Sequence, residues 1–112
     1  MFNKLDKYFS KIFTRYLNDF YAEQLEEMLY TDLALYCHSK NAIFTIDVNN
    51  CSIDIYARPA VNNYDWRSFL DSDEDKDSYM VYHIHRTHLL WLLLNYKQEL
   101  STIKSDIAKV LN

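Results

Sequence analysis

Apolar side chains recur at steps of three and four from the start of the chain. Phe2, Leu5, Phe9, Ile12 and Tyr16 form one stripe, and Phe13, Leu17 and Phe20 widen it. This spacing predicts an amphipathic helix. Lys4, Lys7, Lys11 and Arg15 fall on its other side. A second helical stretch sets Tyr21, Leu25, Met28 and Leu29 against Glu23, Glu26 and Glu27. Asn18-Asp19 can act as a cap that divides the two. One long bent helix satisfies the same pattern.

From residue 42 the period changes to two. Ala42, Phe44, Ile46 and Val48 alternate with polar positions, then Asn49-Asn50 intervenes, then Cys51, Ile53, Ile55 and Ala57 alternate in turn. This is a β-hairpin, with Asn-Asn supplying the turn. A two-residue loop at that pair predicts Val48 opposite Cys51, Ile46 opposite Ile53, Phe44 opposite Ile55 and Ala42 opposite Ala57, all on one face. The other face sets Asp47 opposite Ser52 and Thr45 opposite Asp54. A slip by one residue would turn the apolar set outward. Cys51 is expected to point inward.

Residues 59–78 form a connection containing Pro59, Asn62-Asn63 and the run DSDEDKD. Tyr64 to Leu70 could make a helical turn within it. Alternation returns in YMVYHIH, residues 79–85, and predicts a third strand with Met80, Tyr82 and Ile84 inward. Thr87 is placed to cap a final helix. Leu89, Leu93, Tyr96, Leu100, Ile103, Ile107 and Val110 there repeat at alternating steps of four and three, a heptad seam. Leu90, Trp91, Leu92 and Leu94 make its first turns apolar nearly all round. The expected fold is therefore one α+β domain over residues 1–112. It has an N-terminal helix or helix pair, a three-stranded antiparallel meander, and a long C-terminal helix packed on it.

Composition narrows the chemistry. The 112 residues include no Gly and one Pro. Turns and helix ends must rely on Asn, Asp and Ser. Walker loops, dinucleotide turns and nucleophile elbows all need Gly for close backbone approach, so these mechanisms are excluded. The formal net charge of −4 disfavours direct binding to nucleic acid. Two cysteines do not make a disulfide scaffold. Neither a secretory signal nor a membrane span is readable, so the expected location is cytoplasmic, with no membrane partner.

Several residue groups carry chemical possibilities. His83 and His85 share one side of the third strand, and His88 follows in the next turn, a spacing at which three imidazoles can hold zinc. The plain alternative is a His-rich polar face. The acidic run imitates the start of a calcium loop, but Lys76 stands where that loop needs Gly and Tyr82 where it needs Glu. Asp65, Trp66, Asp71, Asp73, Glu74, Asp75 and Asp77 instead suit a basic protein surface, because carboxylates accept Arg and Lys N–H groups and rings accept cations. Glu23, Glu26, Glu27 and Asp32 could extend that surface. The plain alternative is a solvated loop. The basic first helix resembles a membrane-surface element only weakly, and an ordinary core helix is the simpler reading.

No pair of acids and no nucleophile stands in a diagnostic context, so no enzyme activity and no cofactor are expected. The leading expectation is a non-enzymatic interaction module. It would be a small acidic inhibitor or adaptor of the phage- or virus-encoded kind that blocks host machinery, binding a basic partner protein. The alternatives are a structural or chaperone-like homodimer that binds through apolar surface, with the heptad seam as its interface, and a small His-based metal protein.

Overall fold

A computed structural model of the chain describes residues 4–60 and 79–111, with residues 4–10 described as backbone. The two predicted N-terminal stretches are one helix, α1, Lys4–Ser39. Asn18-Asp19 does not divide it. Each costs only about 0.7 kcal/mol or less against alanine in a helix, and neither Gly nor Pro occurs before residue 59 to break it. Its 36 residues span about 54 Å. The stop is local: Lys40 N–H donates to the Tyr36 carbonyl at 3.1 Å, and Asn41 turns left-handed at φ 55°. Asparagine takes the position that glycine commonly holds.

The meander follows as expected: β1 (Ala42–Val48), β2 (Ser52–Pro59) and β3 (Met80–His85), antiparallel in that order. The hairpin register differs from the predicted one by two residues. Val48 faces Ile53, Ile46 faces Ile55, and Phe44 faces Ala57. A shift of two preserves every face, so the apolar set still points inward. The cause is Asn49. Its side-chain carbonyl accepts the backbone N–H groups of Cys51 (2.8 Å) and Ser52 (2.9 Å), while its own N–H reaches the Ser52 carbonyl (3.1 Å). Asn50-Cys51 becomes the loop tip, and Cys51 is exposed, correcting the inward placement.

β3 carries a second departure. Ile55 faces Tyr82 but Tyr56 faces Met80, so Val81 is an extra residue, a bulge. Val81 and Tyr82 pack against the core, with Ile84 buried. Met80 falls opposite Tyr56, on the other face of the sheet, where an inward position was expected.

A 3₁₀ turn at Arg86–His88 leads to α2 (Leu89–Leu94) and α3 (Tyr96–Leu111). Thr87 is not the cap: the His85 side chain accepts from its N–H, and no side chain caps α2. The predicted single helix is interrupted at Asn95, whose side-chain amide donates to the Trp91 carbonyl at 2.8 Å. Its backbone N–H is shared between the Trp91 (3.0 Å) and Leu92 (3.2 Å) carbonyls, and its φ of −115° and ψ of 26° leave the helical region.

The sheet presents one face to the helices. α1 packs over β1, α3 over β2 and β3, and α2 against α1. Leu25, Leu29, Leu33, Ile53, Ile55, Leu89, Leu92, Ile103 and Ile107 are fully buried. Each such side chain stabilises the fold by roughly 1.5–3 kcal/mol. Tyrosines tie the layers at their rims. Tyr36 donates to the Lys104 carbonyl (2.9 Å), Tyr96 to Asp32 (2.5 Å) and Tyr82 to Glu99 (3.0 Å). Tyr30 bridges the open edge of β1, donating to the Ile46 carbonyl and accepting its N–H, both at 3.4 Å.

Candidate interaction surface

The heptad seam is used inside the chain. Leu89, Ile103 and Ile107 are buried, and Leu93, Tyr96 and Leu100 pack against the same core. It is not a free dimer interface. The uncovered apolar surface lies elsewhere, on the N-terminal part of α1. Ile12, Phe13, Tyr16 and Phe20 are 48%, 63%, 68% and 50% exposed. The expectation of an ordinary core helix fails for this segment.

The reason is a change of face along one helix. Cys37, Leu33, Leu29, Leu25 and Ala22 step back at fours and threes as a single buried line. Continued toward the N-terminus, that line runs through Asn18, Arg15 and Lys11, none of them apolar or buried. The apolar stripe of residues 12–20 is rotated by roughly 135° from it, at about 100° per residue. Continued the other way, this stripe becomes Glu23 and Glu27, both exposed. Apolar and charged residues thus exchange sides near Phe20. The chain's own sheet and C-terminal helices lie on the side of Leu25 and Leu29. They cannot also cover Phe13 and Tyr16.

The body reaches no further along α1 than Asp19 by any described ion pair. Arg86, after β3, pairs with Asp19 and also donates to the Asn49 carbonyl at 3.0 Å. N-terminal to half-buried Leu17 and Asn18, residues 11–16 are all exposed and α1 projects. The molecule measures 61 × 29 × 19 Å, with a radius of gyration of 16.6 Å. A compact chain of this length would have about 13 Å. α2 adds a smaller apolar patch, Leu90, Trp91 and Leu94, exposed on the side away from buried Leu89 and Leu92.

A polar row crosses the other face of the sheet: Asp47, Asp54 and His83 on adjacent strands. Asp54 is buried. It accepts from Ser52 Oγ at 3.0 and 3.1 Å and from Asn49 Nδ2 at 3.4 Å, and its Oδ1 lies 2.5 Å from His83 Nδ1. Asn49 Nδ2 also reaches Asp47 at 3.5 Å. Carboxylates directly opposite one another repel, and this ring of donors compensates. An imidazole held through Nδ1 by a carboxylate is a general-base arrangement. Here the neighbouring hydroxyl, Ser52, donates to the carboxylate, so the row reads as a hydrogen-bonded anchor for the strands.

The predicted metal group divides. His83 turns to Asp54, and His85 Nδ1 lies 2.9 Å from Thr87 Oγ1. The rings of His85 and His88 meet edge to face at 6.3 Å. Among the described residues no three His, Cys, Asp or Glu side chains gather to hold a metal ion. The acidic set Asp65, Trp66, Asp71, Asp73, Glu74, Asp75 and Asp77 lies outside the described residues. Of the acids proposed to extend it, Asp32 is engaged by Tyr96, while Glu23 and Glu27 are exposed.

Burial governs the shifted titrations. It raises the thiol of Cys37 to about 11. Burial, then the hydrogen bonds and charges of Glu99 and Asp32, raise the phenols of Tyr82 and Tyr96 above their ordinary range. These groups stand neutral inside the packing. No described helix is long and apolar enough to cross a membrane. No protein-family model, curated protein or solved structure matches the chain.

Proposed function

We propose that the chain is a non-enzymatic protein-interaction module whose docking element is the projecting part of α1. One observation carries this reading. Ile12, Phe13, Tyr16 and Phe20 form a solvent-exposed apolar face on the side of α1 opposite its buried line. Exposed contiguous apolar patches mark interaction sites. Aromatic residues dominate contact energies where they become buried. An amphipathic helix laid against an apolar surface is a recurring mode of recognition.

This shifts the weight from charge to apolar contact. Binding of a basic partner surface by the acidic connection stays part of the proposal, and exposed Glu23 and Glu27, which continue the apolar face, would add to it. An acidic inhibitor or adaptor of host machinery would use both.

The test is the double substitution Phe13→Glu, Tyr16→Glu. Circular dichroism and the unfolding transition should stay as in the parent chain, while complexes formed in cell extract or by the chain alone disappear from size exclusion. Complexes that persist undiminished, or a chain that no longer folds, would overturn the reading. Added salt sharpens it: apolar contact survives salt that weakens a purely ionic one.

A further inference from the structure

Resting on that reading, we propose that the partner of the exposed α1 face is a basic amphipathic helix of another protein. That helix is apolar where it meets Phe13, Tyr16 and Phe20, and carries Lys or Arg where it meets Glu23 and Glu27. Three features support this occupant.

The first is the line the face follows. Phe13, Tyr16, Phe20, Glu23 and Glu27 succeed one another at steps of three, four, three and four, and all five are exposed. They extend over about 21 Å of α1. A seam at this spacing is what one helix presents to another lying along it. Recognition of a helix by an apolar surface uses anchors at i, i+3 and i+7, the spacing of Phe13, Tyr16 and Phe20.

The second is charge. The seam turns from aromatic to acidic after Phe20 and contains no cation. Glu23 and Glu27 stand four residues apart, where like charges destabilise a helix. The ion pairs among the described residues join Arg86 to Asp19, His83 to Asp54 and Lys109 to Asp106, and neither glutamate enters one. A partner's Lys or Arg laid beside them relieves that repulsion and fixes the direction of docking. The same arrangement argues against a second copy. Lys11 and Arg15 lie in line with buried Ala22 and Leu25, on the other side of α1, so the stripe of another α1 brings no cation to the glutamates.

The third is area. At roughly 150–250 Å² for each aromatic side chain, the exposed parts of Phe13, Tyr16 and Phe20, with Ile12, amount to on the order of 400 Å². Specific interfaces are only about 57% apolar by area. With exposed Glu23, Gln24 and Glu27 as polar neighbours, the face suits roughly 700 Å² per partner, in the lower part of the range of specific complexes.

The experiment titrates the full chain into a fluorescein-labelled synthetic helix, LKKLLKLLKKLLKL, at physiological ionic strength, and follows anisotropy. A second peptide has Glu in place of every Lys. The Lys peptide should bind at least about tenfold more tightly than the Glu peptide. Phe13→Glu, Tyr16→Glu should weaken its binding at least about tenfold. Glu23→Gln, Glu27→Gln should weaken it about threefold or more and flatten its dependence on salt. Mere attraction to the net charge of −4 is distinguishable, because it would strengthen in Phe13→Glu, Tyr16→Glu, which adds two acids. Strengthening there, a Glu peptide that binds as well as the Lys peptide, or glutamine variants that bind undiminished would each overturn the proposal. The interaction-module reading would then stand alone if a complex with another protein still depended on Phe13 and Tyr16. It would fall too if no complex depended on that face. A dimer of the chain, lost in Phe13→Glu, would give the face to a second copy and overturn the helix partner alone. Cosedimentation with phosphatidylserine vesicles, lost in the same variant, would assign the face to a lipid surface and overturn both.

Discussion

Residues 22–37 of α1 bury Ala22, Leu25, Leu29, Leu33 and Cys37 against the sheet and the C-terminal helices, whereas residues 12–20 leave Ile12, Phe13, Tyr16 and Phe20 in solvent. Both segments belong to one continuous helix, and both are amphipathic at the same period. They differ only in the direction of the apolar side. Periodicity establishes that a helix has an apolar face. It does not say what covers that face. Cover follows from whether successive segments share one azimuth, and here they do not.

The contrast can be broken most forcefully from the buried side. Leu29→Ala should cost about 2–5 kcal/mol of unfolding free energy in a urea titration, because it removes a fully enclosed side chain and leaves a cavity. A loss no larger than that of a surface substitution would mean the buried line is not the core.

Cys37 offers a test by pH. Burial holds its thiol neutral up to about 11, against an ordinary value of 9.0. The folded state keeps the proton when the unfolded state has released it. The stabilising contribution is therefore complete below pH 9.0 and is lost as pH rises from there through about 11. Urea midpoints across that window should fall, and Cys37→Ala should remove that part of the slope. A slope unaltered by the substitution would assign it to other groups. In the folded chain, exposed Cys51 should react with a thiol reagent long before Cys37 does.

Tyr30→Phe reaches the boundary between α1 and the sheet edge. It removes the hydroxyl that serves both the N–H and the carbonyl of Ile46. Both contacts are long, so a loss of about 0.5–1.5 kcal/mol is expected from the same urea titration. Faster amide exchange at Ile46 should accompany it. An unchanged exchange rate would show that the β1 edge does not depend on Tyr30.

Much of the architecture was legible in the sequence. The hairpin faces followed from strict alternation, because face depends on parity alone. The register did not, because it turns on whether the side chain of Asn49 takes over the turn N–H groups, and spacing carries no trace of that. The bulge at Val81 was hidden for a similar reason: an extra residue leaves the composition of β3 unchanged. The seam in α2 and α3 was visible as a period, but its role in the chain's own core required knowing where α1 and the sheet stood. The exposed stripe could have been found by drawing residues 2–37 on one helical wheel. Taken as two separate stretches, each has the pattern of an ordinary core helix. The histidines stood at ligand spacing, yet Asp54, three residues past the hairpin tip, drew His83 away, and no pattern in the sequence pairs those two.

The central claim is that the exposed stripe of α1, Ile12, Phe13, Tyr16 and Phe20, contributes nothing to the core of its own chain. The most direct measurement is the unfolding free energy of Phe13→Glu, Tyr16→Glu against the parent, taken at a dilution where both sediment as monomers. The account predicts agreement within about 0.5 kcal/mol, as for substitutions at uncovered surface. A loss of about 2 kcal/mol or more, the scale of a disrupted core, would contradict it.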